Sequence, residues 1–231
     1  MKLGVVCGFK AEEETFHKIV RVEGLTFNYV VRCSGSSAER AFNLSKQMVA
    51  DGCTALLSFG VAGGLKADAT PGTVIFSTHV VTLESEAFGQ APEKTPTSLK
   101  LKSAGALKKG TICGVDKILF SPLEKADVFI KSNADIADME SHSVAKAATQ
   151  AHIPFYALRA VSDGQADSLP QFVASAVSEE GTPRLGPVLL GLLKNPLVLP
   201  KLLRLKTNTD LALEGLTKSS PAVLRMMTKQ I

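Results

Sequence analysis

The sequence has few cysteines and no motif that would group them. The four cysteines are Cys7, Cys33, Cys53 and Cys113, and no two of them have Cys-x-x-Cys spacing. Three of the four lie in apolar runs with strand character. This spacing argues against a disulfide scaffold and against a zinc site, and it favours reduced, buried thiols. We expect a reducing, cytoplasmic environment, and we predict neither a metal site nor a cofactor.

Signatures of nucleotide and nucleic-acid binding are also missing. The chain has neither the Gly-Lys-Ser/Thr ending of a Walker loop nor Gly-x-Gly-x-x-Gly spacing. Its formal net charge of +4 over 231 residues is too small to indicate a nucleic-acid partner. Internal repeats and low-complexity segments are absent. With 45% hydrophobic residues the chain can bury one large core, so we predict a single domain over residues 1–231.

No apolar run is long enough to predict a membrane span. The leucine-rich stretch 188–205 is interrupted at Lys194 and Pro200, well before the roughly 20 residues that a spanning helix needs. Residues 1–8 form an apolar run that is too short for a secretory signal, so no such signal is expected.

Apolar runs alternate with helical patterns along most of the chain. Strands are predicted at 2–8, 27–34, 54–60, 73–81, 110–115 and 153–161. Helices are predicted at 37–51, 121–131 and 141–151. Because strands and helices alternate, we predict a three-layer α/β/α fold around a mixed, largely parallel twisted sheet. Residues 89–104 are predicted to form a polar surface excursion, and residues 182–231 a helical C-terminal segment.

Two acids flank the last predicted helix and strand. Glu140 precedes the helix, and Asp163 follows the strand at its carboxyl end, where open α/β sheets bind ligands. Each acid alone has a simpler explanation, since acids favour a first helical turn and Asp is common in turns. A strand that runs into a glycine turn over 56–65 strengthens the case for a site, because such turns aim N–H groups at ligands.

The C-terminal segment 182–231 concentrates the positive charge of the chain. It carries two acids, Asp210 and Glu214, against eight basic residues: Arg184, Lys194, Lys201, Arg204, Lys206, Lys218, Arg225 and Lys229. Its leucine-rich helices are either core-packing helices with solvated basic edges or a surface that touches an anionic membrane or a lipid-like ligand. The residues alone favour the first interpretation.

Five motifs occur in the order expected of a known family. They are GVVCGFKAEEE at 4–14, SFGVAGGL at 58–65, TICGVDKIL at 111–119, DMES at 138–141 and RAVSD at 159–163. On these motifs the chain resembles the purine nucleoside phosphorylase and nucleosidase superfamily, in its methylthioadenosine/S-adenosylhomocysteine nucleosidase branch. The resemblance implies an enzyme with the nucleoside phosphorylase fold that cleaves N-glycosidic bonds and assembles as a homodimer.

The C-terminal third resembles a narrower group, the hopanoid-associated phosphorylases. The matching segments are 169–173, 181–184 and 189–205. This resemblance implies a role in hopanoid biosynthesis: release of adenine from adenosylhopane, which leaves a ribosylated hopane or its 1-phosphate. A polycyclic hydrocarbon on the ribose 5′ carbon would explain an apolar C-terminal segment with basic edges. With this resemblance, we favour peripheral membrane contact by the segment over simple core packing. The alternative is a hydrolytic methylthioadenosine/S-adenosylhomocysteine nucleosidase.

The resemblance also implies roles for single residues. Asp163 would protonate the adenine at N7 with Ser162 holding its geometry, while Glu140 would accept hydrogen bonds from the ribose 2′ and 3′ hydroxyls. Met139 would pack against the ribose, although ordinary core filling explains it equally well. The remaining substrate contacts would come from Ile118, Leu119, Val61, Ala62 and Gly63.

The nucleophile stays open between water and phosphate. In the hydrolytic branch a glutamate of the first loop activates water, and Glu12 matches that position. However, Val61 replaces a serine that hydrolytic relatives usually carry there. Phosphate, as a co-substrate, would need an anion site, for which the sequence offers Ser34, Gly35, Arg40 and Gly64.

Overall fold

Ten strands from the described part of the chain form one mixed sheet. The computed structural model describes residues 2–78, 80–84, 87–88, 107–178, 181–182 and 184–229. The strands are β1 (Lys2–Cys7), β2 (Asn28–Cys33), β3 (Ala55–Gly64), β4 (Val74–Ser77), β5 (Val80–Thr82), β6 (Ala87–Phe88), β7 (Leu107–Lys109), β8 (Ile112–Gly114), β9 (Ile136–Asp138) and β10 (Phe155–Asp163). Strand β3 is central, because it pairs in parallel with β1 and β10 and antiparallel with β9.

Six α-helices accompany the sheet. They are α1 (Lys10–Val22), α2 (Ala38–Ala50), α3 (Pro122–Ser132), α4 (Ser141–Gln150), α5 (Leu185–Lys194) and α6 (Leu199–Lys229), and two short 3-10 helices span Gln171–Ser175 and Pro196–Val198. Helices α1 and α6 pack on one face of the sheet, and α2 and α4 pack on the other. The predicted three-layer α/β/α fold with a mixed sheet is therefore confirmed.

Capping side chains explain where helices α2 and α3 begin. Ser37 caps α2 by accepting a hydrogen bond from the N–H of Arg40, and Ser121 caps α3 in a reciprocal pair with Glu124. Helix α3 ends where Asn133 adopts a left-handed conformation with φ of 51°. These caps place both helices beside the sheet edge at which several strands end.

Strand β10 shows no regular alternation of polar and apolar residues, because both of its faces are buried. All nine of its residues are buried, since helices cover both faces of the sheet there. Helix α4 packs close to this strand through small side chains, including Ala145 and Ala148, which are fully buried. This close packing holds the ends of α4 and β10, and with them Glu140 and Asp163, in fixed positions.

Several predicted elements need correction. The predicted strand 73–81 consists of two strands, β4 and β5, and β9 was not predicted. Glu12 lies in the first turn of a helix and not in a loop, because Phe16, Ile19 and Val20 give α1 an apolar face with helical spacing. The predicted surface excursion 89–104 lies outside the described residues.

The C-terminal segment is also more continuous than expected. In place of several short helices, α6 runs for 31 residues, and its second half belongs to the main core. Leu216, Leu224 and Met227 pack there against the sheet and are at most 1% exposed. Within the described part of the chain, no helix has both the length and the apolar composition needed to cross a bilayer.

Candidate active site

A cavity of about 650 Å³ opens where several strands end. Its walls include Gly8 after β1, Gly63 in β3, Glu140 after β9 and Asp163 at the end of β10. The volume falls in the range of small-molecule sites. The structure thus brings together the two acids that the sequence singles out, and it adds the turn residues that follow β1.

Glu12 lies in the wall of this cavity, and the backbone fixes its orientation. Its Oε2 accepts hydrogen bonds from the N–H of Gly8 at 2.6 Å and of Phe9 at 3.2 Å, while Oε1 accepts one from Val61 at 2.7 Å. Only 1% of the residue is exposed. A carboxylate offers about four acceptor positions, so one remains for a ligand or water.

Two glycines make room for the carboxylates. At Gly60, a Cβ would overlap the carboxylate of Glu12, and the backbone angle φ is 153°, which other residues rarely adopt. At Gly8, a Cβ would stand 3.1 Å from Oε1 of Glu140 and 3.4 Å from Oε2 of Glu12. Glu12 and Glu140 therefore meet across the small Gly8 position.

A buried arginine joins the acids on this side of the cavity. Arg159 is 1% exposed; its Nε lies 2.6 Å from Oδ2 of Asp138, and its Nη2 lies 3.0 Å from Oε2 of Glu140. Nη2 also donates to Ser58 Oγ at 2.6 Å. The sequence analysis did not assign Arg159 or Asp138 a role, although both lie in the quoted motifs.

Electrostatics in this cluster set the protonation of Glu140. The pKa of Glu140 is raised to about 7, chiefly by burial; the Arg159 guanidinium opposes this shift, whereas the negative charges of Asp138 and Glu12 add to it. Burial also raises the pKa of Glu12, against the lowering effect of Arg159 and of its backbone donors. The positive charge of Arg159 thus interacts with three buried carboxyl groups, those of Asp138, Glu140 and Glu12.

Asp163 ends β10 at an irregularity in the sheet. The register between β10 and β3 shifts between Val161 and Asp163, which gives this strand an extra residue, Ser162. The hydroxyl of Ser162 donates to Oδ1 of Asp163 at 2.9 Å. A Cβ at Gly63 would stand 3.3 Å from Oδ2, so the carboxylate also faces Gly63. The predicted glycine turn is wrong here, because Gly63 and Gly64 pair with β9 and belong to strand β3.

A lysine that the sequence analysis missed contacts the same carboxylate. Lys125 of α3 places its Nζ 2.5 Å from Oδ2 of Asp163, and its side chain has no exposed surface. In the sequence, Lys125 lies in a Leu-Glu-Lys-Ala stretch of a predicted helix, and nothing in this pattern indicates that the lysine is buried. Its partner could be found only from the tertiary structure.

The other predicted substrate contacts lie around the same cavity. Residues that line it include Ile118, Leu119, Val61, Ala62, Gly63, Met139 and Ser162. Met139 also packs against a small apolar cluster that contains Cys113 and Val128. The side chain therefore contributes both to the cavity wall and to core packing, the two interpretations that the sequence leaves open.

The candidate phosphate residues are not gathered as a single cradle. Gly35 lines the cavity, whereas the Ser34 hydroxyl donates to the Cys7 carbonyl at 3.2 Å. Among the described residues, Ser34, Arg40 and Gly64 are not part of the cavity wall. Ser36, with a left-handed φ of 58°, lines the cavity beside Gly35.

The C-terminal half supplies an apolar part of the wall that no motif predicts residue by residue. Leu169, Val173, Val177 and Leu205 line the cavity. They come from the chain after β10, from the 3-10 helix Gln171–Ser175 and from the first half of α6. The cavity thus has a polar floor of carboxylates and an apolar extension towards the C-terminal segment.

Comparison with known proteins agrees with this architecture. The fold matches 5′-methylthioadenosine/S-adenosylhomocysteine nucleosidase from Helicobacter pylori at a TM-score of 0.66 and 16% identity, covering 100% of this chain and 99% of that one. Futalosine hydrolase of Helicobacter pylori matches at 0.62 and 19%, covering 100% and 98%. The nucleosidase from Neisseria meningitidis matches at 0.62 and 15%, covering 97% and 99%.

At these identities the solved structures show a shared fold. A search of curated protein sequences finds no match. The family model described as Phosphorylase superfamily matches residues 28–194, which is well over half of the chain. As its motifs predict, the chain belongs to the Phosphorylase superfamily, a family of enzymes.

Proposed function

We propose that this protein cleaves the N-glycosidic bond of an adenine nucleoside. The observation that carries the proposal is the convergence of Glu140 and Asp163 on one cavity of about 650 Å³. Breaking this bond creates positive charge on the ribose and negative charge on the departing base. The enzyme must therefore stabilise the sugar and protonate the base, and the cavity offers a separate carboxyl group for each task.

Glu140 is proposed to hold the ribose. Its carboxylate accepts hydrogen bonds from the 2′ and 3′ hydroxyls, and these bonds strengthen as positive charge grows on the sugar ring. Arg159, 3.0 Å away, fixes one of its oxygens and favours the ionised form. The neighbouring carboxyl groups oppose ionisation, so substrate hydroxyls bind to a group whose charge depends on pH near neutrality.

Asp163 is proposed to protonate the base. The adenine would lie between Ile118, Leu119 and the end of β3 at Gly63, with its N7 facing the Asp163 carboxyl group. Support comes from the position of all these residues in one cavity wall and from the 2.9 Å bond by which Ser162 orients the carboxylate. Protonation at N7 neutralises the departing base and lowers the barrier to bond cleavage.

The 5′ substituent of the substrate is proposed to be a hydrocarbon, and adenosylhopane is the candidate substrate in hopanoid biosynthesis. Support comes from the apolar extension of the cavity through Val173, Val177 and Leu205. A polar 5′ group would lose water there without gaining partners. The products would be adenine and ribosylhopane, or ribosylhopane 1-phosphate if phosphate is the nucleophile.

The nucleophile depends on Glu12 and on the turn that contains Gly35. Glu12 has one acceptor position left and lies in the cavity wall, so it can take a proton from water. Gly35 and Ser36 form a turn with left-handed conformations; the N–H of Gly35 donates to the Gly8 carbonyl at 3.0 Å, so the N–H of Ser36 is the candidate donor to phosphate. Phosphate remains the proposed co-substrate by the subgroup resemblance.

A second candidate function is hydrolysis of methylthioadenosine or S-adenosylhomocysteine. It is favoured by the carboxylate of Glu12 in the cavity wall, where a general base for water is needed. The same two carboxyl groups would serve the sugar and the base. The two functions differ only in the 5′ group and in the nucleophile.

We also propose that the protein binds the cytoplasmic face of a membrane through a leucine surface. This surface consists of seven exposed side chains: Leu185, Leu189, Leu190, Leu193, Leu197, Leu199 and Leu203. On α5, Leu185, Leu189 and Leu193 follow one another at intervals of four residues and share a helix face. Free thiols at the four cysteines are in keeping with a cytoplasmic location.

The charge around the leucine surface favours anionic lipid over a second protein copy. Residues 184–206 contain no acid and five basic residues: Arg184, Lys194, Lys201, Arg204 and Lys206. Two of these pair with acids outside the range, and the segment still keeps a positive excess. In a two-fold contact through this surface the basic residues of the two copies would face each other, whereas anionic headgroups attract them.

Vesicle binding tests the membrane proposal. Leu189→Lys with Leu193→Lys should abolish co-sedimentation with vesicles that contain 30% phosphatidylglycerol, while the matched pair Leu123→Lys with Ile130→Lys should not. Leu123 and Ile130 are 82% and 80% exposed but lie on α3. If the wild type does not bind vesicles but has the mass of a dimer, and the Leu189→Lys, Leu193→Lys variant is a monomer, the leucine surface would instead be a contact between two copies. A homodimer that forms through another surface stays a prediction.

Product analysis tests the catalytic proposal. Purified protein is incubated with adenosylhopane, with and without phosphate, and the sugar product is identified by mass spectrometry. Adenine release only with phosphate, together with a sugar 1-phosphate, would establish phosphorolysis. Unphosphorylated ribosylhopane alone would establish hydrolysis, and a higher kcat/KM for methylthioadenosine than for adenosylhopane would favour the second candidate.

A further inference from the structure

Lys125 is a buried cation beside the proposed proton donor. Its Nζ donates to Oδ2 of Asp163 at 2.5 Å, to the carbonyl of Gly164 at 2.7 Å and to the carbonyl of Asp167 at 3.3 Å. An ammonium group has three donors, and all three have acceptors here. The side chain is therefore held as a charged group at one fixed point in the cavity wall.

Burying this ion pair has a free-energy cost of desolvation, which points to a function for the charge beyond stability. Taking an ammonium and a carboxylate out of water costs several kcal/mol per ion, and buried pairs often add little net stability. Other lysines form ion pairs at more exposed positions: 32% of the Lys66 side chain is exposed beside Asp135, and 53% of the Lys131 side chain, on the same helix as Lys125, is exposed beside Asp127. Lys125, with no exposed side-chain surface, differs from these lysines.

The ion pair also bears on the source of the proton that Asp163 must deliver to the base. An ionised carboxylate has no proton to give, so it must first receive one from a neighbouring group or from solvent. Among the described residues, the side chains bonded to this carboxylate are Ser162 and Lys125. Of these two, only the ammonium group carries a proton acidic enough to be transferred.

We propose that Lys125 is a positioning residue that holds Asp163 and recharges it with a proton during base departure. The inference rests on the proposed function. The electron pair of the bond between C1′ and N9 moves onto the purine, and N7 takes a proton from the Asp163 carboxyl group. In the same relay the carboxylate receives a proton from Lys125 Nζ, which becomes a neutral amine and regains a proton from water after adenine leaves.

Two substitutions separate this relay from a purely structural role. Lys125→Met removes the charge and the proton, whereas Lys125→Arg keeps the charge and the donors but cannot release a proton at neutral pH. In both variants we expect kcat for adenine release to fall by roughly 10²-fold or more, with KM within about threefold of wild type. The control is Lys131→Met on the same helix, which should match wild type.

The pH profile supplies the readout that packing alone would not move. In Lys125→Met the carboxyl group of Asp163 can take its proton only from solvent, so activity of this variant should recover as the pH falls from 8 to 5. The Arg variant should show no such recovery. A substrate whose leaving group needs no proton, p-nitrophenyl riboside, should be cleaved at near wild-type rates by both variants, because the relay serves only the leaving base.

A double variant guards against loss of folding. Asp163→Asn combined with Lys125→Met removes both partners, which avoids an unpaired buried charge, and folding is checked by circular dichroism. Since Lys125 acts through Asp163, adding Lys125→Met to Asp163→Asn should cost no further activity. Unchanged kcat in either single variant, or equal losses on both substrates, would overturn the relay; absence of adenine release by the wild type would instead overturn the proposed function on which it rests.

Discussion

The N–H of Val61 donates a 2.7 Å hydrogen bond to Oε1 of Glu12, although the two residues lie 49 positions apart in the chain. The other oxygen of Glu12 accepts from Gly8 and Phe9, at the start of α1. The carboxylate therefore ties the first helix to the central strand. Its place in the cavity wall depends on the backbone of both elements.

Glu12→Gln should lower both activity and stability. The amide has one acceptor oxygen in place of two, so its NH2 group faces backbone donors, and leaving a buried donor unpaired costs about 1–3 kcal/mol. If Glu12 activates water, kcat should also fall by about 10²- to 10⁴-fold. Adenine release and urea unfolding measure the two effects, and Glu14→Gln is the matched control from the same helix. Wild-type values in both assays would contradict the assigned role.

Gly60→Ala should displace the same carboxylate. The added Cβ would overlap Glu12 and strain a backbone at φ of 153°, and we expect a loss of about 1–3 kcal/mol in unfolding free energy. Activity should fall with it, because Glu12 must move. Thermal unfolding measures the effect against Gly186→Ala, where a Cβ meets no atom within 4 Å. A Gly60→Ala variant as stable and active as the control would show that Glu12 is not held as described.

Asp163→Asn should abolish protonation of the base while leaving the substrate bound. The amide is nearly isosteric but cannot donate a proton from a carboxyl group, so kcat should fall by about 10²- to 10⁴-fold with a small change in KM. Steady-state adenine release measures both constants. The control is Asp127→Asn, since that carboxylate is 58% exposed and pairs with Lys131. Loss of substrate binding without loss of kcat would reassign Asp163 to recognition of the base.

Stability should decrease as the pH rises from about 4.5 to about 7. Burial raises the pKa of Glu140 from an ordinary 4.5 to about 7, so in this window the unfolded chain releases a proton that the folded chain keeps. Below the window both states are protonated and the effect is absent. The total amounts to about 3 kcal/mol at most, and the difference between wild type and Glu140→Gln isolates it.

The same group should shape the activity profile. Below pH 7 Glu140 holds a proton and offers fewer acceptors to the ribose hydroxyls, so kcat/KM should decline on the acid side with an apparent pKa near 7. The acid limb should be missing in Glu140→Gln. A wild-type profile that is flat between pH 5.5 and 8 would contradict the role of Glu140 at the sugar.

The fold was largely predictable because its signals are local. Apolar runs and capping serines identify strands such as β3 and helices such as α2 within a few residues, although β3 continues through the predicted glycine turn to Gly64. Strand β9 has only three residues, too short for a periodic pattern. Helix α1 was not predicted, although Phe16 and Ile19 show helical spacing.

The candidate site was predictable only in part. Glu140 and Asp163 lie next to element boundaries, where sequence patterns are informative, and both line the cavity. Arg159 and Lys125 lie inside elements, and only the packing of β10 and α3 turns them towards the acids. Charge pairing across 19 and 38 residues depends on tertiary structure, so no local pattern marks it.

The most direct test of the account is adenine release from adenosylhopane by the wild-type protein, measured at pH 7.5 with phosphate present. We expect stoichiometric release of adenine and a ribosylated hopane product, with the rate of Asp163→Asn lower by about 100-fold or more, as for loss of a general acid. No adenine release from this substrate or from methylthioadenosine, by folded protein, would contradict it.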